Sequence, residues 1–172
     1  MAVLTIREVP DEILTKKCKP VKEMTPKIRE LIQDMTETMH EANGVGLAAP
    51  QVGILKRIFV VDVTGEDAFC CINPEIVSRE GEQTAYEGCL SVPGMSGAVT
   101  RADKVTIRAL DENMQPFELE AEEFLARAIQ HEYDHLEGVV YSEIAEGSLI
   151  TNEALQKLIE EEALQAGNGT DD

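Results

Sequence analysis

His131-Glu132-Tyr133-Asp134-His135 sets two imidazoles four residues apart, with a carboxylate beside the first. On a helix this spacing puts both rings on one face, a single turn apart, where they can share a metal ion. The flanking residues supply the helix. Phe124, Leu125, Ala128, Ile129 and Leu136 recur at helical spacing around His131, Glu132 and His135, so a helix from Glu122 to about Glu137 is predicted, central to the fold and largely buried. Neutral imidazole suits Zn and Fe, and a water whose pKa a metal has depressed needs a nearby carboxylate to take and return its proton. That role falls to Glu132. An ordinary buried helix with two core histidines would show the same five residues, so the third ligand must decide.

In the metzincin pattern H-E-x-x-H-x-x-G-x-x-H, Gly138 fills the glycine position but Tyr141 stands where the third histidine belongs. That pattern is excluded. A zinc peptidase with a downstream glutamate ligand stays open through Glu153 or Glu160, in a segment so rich in Glu that neither carries much information. A non-enzymatic fold with a structural metal also stays open. Upstream, Glu87-Gly88-Cys89-Leu90-Ser91-Val92-Pro93-Gly94 offers a thiolate, and Gly44-Val45-Gly46-Leu47-Ala48-Ala49-Pro50-Gln51-Val52-Gly53 offers small residues that let backbone approach a ligand, ending in the polar Gln51. Singly, a buried cysteine is usually an inert core residue and a small-residue run a turn. Beside the helix, they outline a site.

The 172 residues, 43% of them hydrophobic, are enough for one domain that hides roughly 70% of its unfolded surface. Its core therefore needs no disulfide or structural metal, and a bound metal is expected to be functional. The net charge of −18 is concentrated: residues 1–110 carry 13 basic and 16 acidic side chains, residues 111–172 carry 2 and 17. Such a field repels phosphates, which argues against direct nucleic-acid binding. The N-terminal apolar stretch is too short for a signal-peptide core, which points to the cytoplasm, and no apolar run reaches the ~20 residues that span a bilayer. Cys18, Cys70, Cys71 and Cys89 form no C-x-x-C pair, and all are expected to be reduced.

Thr25-Pro26 followed by Ile28, Leu31, Ile32, Met35 and Met39 predicts a capped amphipathic helix ending near Asn43-Gly44. Residues 58–63 and 69–72 are predicted strands, the second ending at Asn73-Pro74, and Val105, Ile107 and Phe117, Leu119, Ala121 flank the turn of a hairpin. A last helix is expected from about Leu149 to Leu164, its stripe of Leu155, Leu158 and Ile159 packed on the body. Arg127 is expected to form an exposed pair with Glu123, and His40 to cap a helix end or stand in solvent.

The three segments in this order resemble the peptide deformylase family, from about Ile6 to Tyr141. G-x-G-x-A-A-x-Q is matched by Gly44, Gly46, Ala48, Ala49 and Gln51; E-G-C-L-S by Glu87 to Ser91; Q-H-E-x-D-H-L-x-G by Gln130, His131, Glu132, Asp134, His135, Leu136 and Gly138. The resemblance implies an α+β fold in which antiparallel sheets surround the H-E-x-x-H helix, with a C-terminal helix. It implies removal of the formyl group from formyl-methionine of nascent polypeptides, on one divalent metal held by Cys89, His131 and His135. Fe(II) is the metal the family works with, and Zn, Ni or Co can replace it. Glu132 becomes the general base, Gln51 and the Leu90 backbone N–H the oxyanion donors. Gly46 binds the peptide as an added strand, with Val45, Leu125 and Ala128 around the methionine side chain. Residues 1–166 are then one catalytic domain and 167–172 a disordered acidic tail. Some deformylases have a basic C-terminal helix thought to dock on the ribosome; here Lys157 faces Glu153, Glu160, Glu161 and Glu162, which argues against such docking.

Overall fold

The computed structural model describes residues 2–169, with side chains to residue 165. Helix α1 (Pro26–Glu41) begins as its sequence dictates, with Thr25 Oγ1 accepting from the Ile28 N–H and Pro26 in the first turn. Strands β1 (Gly46–Ala48), β2 (Ile58–Val61) and β3 (Phe69–Glu80) follow, then β4 (Gln83–Cys89), β5 (Val92–Arg101), β6 (Lys104–Leu110) and β7 (Pro116–Glu122). Helix α2 (Glu123–Leu136), the short α3 (Tyr141–Ile144), β8 (Glu146–Thr151) and α4 (Asn152–Gly169) complete the chain. The strands form two antiparallel sheets, ordered β1-β2-β3-β6-β7 and β4-β5-β8. The α+β fold with antiparallel sheets and a C-terminal helix is the one expected.

The alternation of strand side chains explains the unbroken apolar run in β2. Ile58 and Val60 join α1 residues Ile32, Met35 and Met39 in one core, while Phe59 and Val61 join α2 residues Ala126, Ile129 and Leu136 in another. Adjacent Cys70 and Cys71 are divided the same way, Cys70 towards α1 and Cys71 towards α2, and all four cysteines are free. Burial raises the Cys18 and Cys70 thiols to about 11, away from reactivity at neutral pH.

Some expectations are corrected. Asn73-Pro74 does not end the strand: β3 continues to Glu80 through a register shift between Ile72 and Glu75. Pro74 sits where the ladder is broken, and Asn73 bonds both the N–H and the carbonyl of Val21. Strands β4, β5 and β8 have no counterpart in the sequence reading, and β8 takes Leu149 and Ile150 from the expected last helix. That helix starts at Asn152, its first turn capped by Thr151 Oγ1 accepting from the Ala154 N–H. Its stripe is not packed away: Leu155 is half-buried, while Leu158 and Ile159 are exposed. The helix runs to Gly169, and of the expected tail 167–172 residues 170–172 lie outside the described residues.

Helix α2 stops at Gly138, whose φ of +79° is left-handed and whose Cβ, were there one, would lie 2.5 Å from the Thr15 carbonyl oxygen. Gly138→Ala meets both strain and backbone collision. It is expected to destabilise the fold by about 2 kcal/mol, lowering Tm by roughly 4–8 °C in thermal unfolding.

Candidate metal centre

Helix α2 lies against β1 and β2, and that packing buries His131, Glu132 and His135 together. Cys89 ends β4, on the hairpin with β5, and its Sγ stands 3.4 Å from His135 Nε2. The ligand atoms of Cys89, His131 and His135 all lie within 4.8 Å of one another, and among the described residues they are the only such group. Tetrahedral bonds of about 2.3 Å to sulfur and 2.0 Å to nitrogen place S and N roughly 3.5 Å apart, so the Cys89–His135 spacing fits. Glu153 and Glu160, the alternative ligands, are exposed on α4. Tyr141, which stands at the metzincin third-ligand position, instead stacks on His131 at a centroid distance of 5.8 Å and donates to the Met95 carbonyl.

Behind the ligands lies a buried ionic knot. Glu87 Oε1 accepts from His131 Nδ1 at 2.8 Å, leaving His131 Nε2 for a metal, and also from Arg101 Nη2 at 2.8 Å. Glu87 Oε2 accepts from Arg101 Nε and from Arg127 Nη1. Burial alone would raise the Glu87 carboxyl, yet the Arg101 and His131 hydrogen bonds outweigh it and hold the group at about 2. Arg127 is therefore not the exposed partner of Glu123. It is 4% exposed and inside the knot, because α2 turns that face towards β4. Other motif residues fasten the helix: Asp134 accepts from Arg101 Nη1, and the Gln130 amide bonds both backbone groups of Ala102. His40, expected free or capping, pairs with Asp62 at 2.7 Å.

Cys89 and His131 open onto a cavity of about 650 Å³ lined by Val45, Gly46, Gln51, Leu90, Ala128 and Glu132 among others. Leu125 is not among its lining residues. Leu125 packs, partly buried, against the α2 core. Glu132 Oε1 is buried without a hydrogen-bond partner, and burial raises the carboxyl to about 7. Gly46 leaves room for this carboxylate, since a Cβ there would collide with Glu132 Oε2. Burial holds His135 well below its ordinary value, in the neutral form a metal ligand requires. Gln51 Oε1 accepts from the Ala48 N–H, which aims its amide nitrogen at Cys89 Sγ (3.5 Å) and Ser91 Oγ (3.0 Å).

The sequence reading missed the knot. Glu87 opened a quoted motif but was given no role, and Arg101 lies in a strand with no local signal.

Residues 3–148 match the family model for polypeptide deformylase. The peptide deformylase of Agathobacter rectalis is 60% identical over 149 residues, which are 87% of this chain and 94% of that protein. Peptide deformylase 1 of Clostridium perfringens is 59% identical over 142 residues, 82% of this chain and 97% of that protein. Among solved structures, the chain is similar to a peptide deformylase from Legionella pneumophila, with a TM-score of 0.81 and 42% identity over 95% of this chain and 98% of that one.

The knot generates its own test. Arg127→Met deprives a buried carboxylate of a donor and is expected to cost at least ~2 kcal/mol in denaturant unfolding, whereas Glu123→Ala stays within ~0.5 kcal/mol. Equal small effects would mean that Arg127 is a surface residue after all.

Proposed function

This chain belongs to the polypeptide deformylase family, metal-dependent hydrolases that remove the formyl group from formyl-methionine polypeptides, and we propose that Cys89, His131 and His135 hold its metal while Glu132 moves the proton. One observation carries the assignment of roles: three ligand atoms converge where an unpartnered, buried carboxylate faces the same cavity. A divalent ion bound there supplies carbonyl polarisation and a water of lowered pKa. Thiolate and imidazole donors suit Fe(II), the metal of this reading, and accept Zn, Ni or Co as well.

Glu132 has the position and the proton affinity for both transfers. It takes a proton as water attacks the formyl carbon, then gives it to the amine nitrogen as the C–N bond breaks and formate leaves. Gln51, held by Ala48, and the Leu90 N–H are assigned to the charge that builds on the formyl oxygen. The Gly46 backbone receives the peptide as an added strand, and Val45 and Ala128 border the methionine side chain. The substrate is the nascent polypeptide, which places the enzyme in the cytoplasm. No helix of the described residues is long and apolar enough to cross a membrane.

The roles separate by substitution. Cys89→Ala removes a ligand and is expected to lose metal by several orders of magnitude in affinity, measured by metal content after dialysis, while Glu153→Ala and Glu160→Ala keep it. Glu132→Gln is expected to keep the metal and to release formate at least ~100-fold more slowly. Full metal content in Cys89→Ala, or normal turnover in Glu132→Gln, would refute the assignment. For partners, the acidic α4 is expected to confer no salt-sensitive ribosome binding. Co-sedimentation at low salt that is lost on truncation after Ile150 would contradict this.

A further inference from the structure

The cavity has a wall outside the family match. That match ends at residue 148 and α4 begins at Asn152, yet Asn152, Leu155, Gln156 and Ile159 line the same cavity as Cys89 and His131. Steps of three, one and three residues keep all four on one helical face. The start of α4 is clamped there. Strand β8 pairs with β5 (Met95 with Thr151, Ser96 with Ile150), and Ser96 Oγ, itself buried on the cavity wall, donates to Asn152 Oδ1 at 2.7 Å.

The apolar residues of this wall and its surroundings are left largely uncovered. Ile159 is 51% exposed, and Phe124 and Tyr86, which line the same cavity, are 53% and 45% exposed. Packing the stripe onto the body would have hidden this surface; the chain leaves it facing the cavity into which its substrate must enter. A polypeptide whose first residue is at the metal centre continues outward at about 3.3 Å per residue, so its next residues pass this mouth. We propose that α4 is one wall of the substrate channel, and that Leu155 and Ile159, with Phe124 and Tyr86, bind apolar side chains of the residues following formyl-methionine. Glu153, Glu160, Glu161 and Glu162 on the same helix disfavour acidic ones. The proposal rests on the deformylase reading of the site.

The test uses the metal-loaded full chain and two peptides of equal length, formyl-Met-Leu-Leu and formyl-Met-Ser-Ser. The unmodified protein is expected to favour the leucine peptide in kcat/KM. In Leu155→Ser/Ile159→Ser that preference is expected to fall about five- to tenfold, chiefly through KM, while Leu164→Ser, 68% exposed and not lining the cavity, keeps it. Ile159→Ser alone, at an exposed position, serves if the double variant does not fold, with thermal unfolding as the check. Kd for the same peptides, measured by titration on Glu132→Gln with and without the α4 substitutions, reads the same preference without turnover. Absence of formate release from either peptide by the unmodified protein would defeat the deformylase reading, and the binding preference would still decide the channel wall. An unchanged preference in a folded variant overturns the proposal.

Discussion

Glu87 accepts hydrogen bonds from Arg101, Arg127 and His131 at one buried point, and those donors come from β5 and α2 while Glu87 itself sits on β4. A carboxylate and two guanidinium groups removed from water are costly unless each finds its partners, and here they do. The knot therefore enforces geometry more than it adds stability. It locks the small sheet, which carries Cys89, to the helix that carries both histidines, and by occupying His131 Nδ1 it leaves Nε2 free for the proposed metal. Asp134 and Gln130 extend the fastening to Arg101 and Ala102, which accounts for two motif residues that do not line the cavity.

The carboxylate proposed to move the proton is treated in the opposite way. Glu87 is surrounded by donors and held at about 2, whereas Glu132, its close neighbour in space, has one oxygen with no partner and is raised by burial to about 7. Two glutamates thus take two functions from environment alone: one a permanent anion that positions, the other a group able to hold or release a proton near neutral pH. The bare backbone of Gly46 gives Glu132 its room, and the β2 residues sharing cores with α1 and α2 keep the helix seated beneath it.

Legibility in the sequence followed the range of the interactions. Helix α1 was legible to its cap because Thr25, Pro26 and the apolar spacing act within a turn or two. The β6–β7 hairpin was legible because alternation and its Asp111 turn are local. Strands β4 and β5 were not: they mix small and polar residues, β4 buries only Glu87, and pairing across the small sheet is what defines them. Asn73-Pro74 misled because a stop and a bulge share the same composition, and the difference lies in a hydrogen bond to Val21, 52 residues away. Arg127 misled for the same reason, since a partner at i−4 was visible and Glu87 was not.

What the sequence by itself determined is the chemistry. Two histidines a turn apart, a thiol, a glutamate between them and a small-residue approach are residue types able to ligate a metal or carry a proton wherever they are brought together, and their order in the chain identified the family. What only the tertiary structure decided is how those groups are supported and what surrounds them. Burial set the two glutamates apart, Glu87 oriented His131, Leu125 went to the core, and α4 came to stand at the mouth of the cavity. These are consequences of contacts between segments tens of residues apart, where desolvation and partner geometry are properties of the packed molecule and leave no periodic trace in the chain.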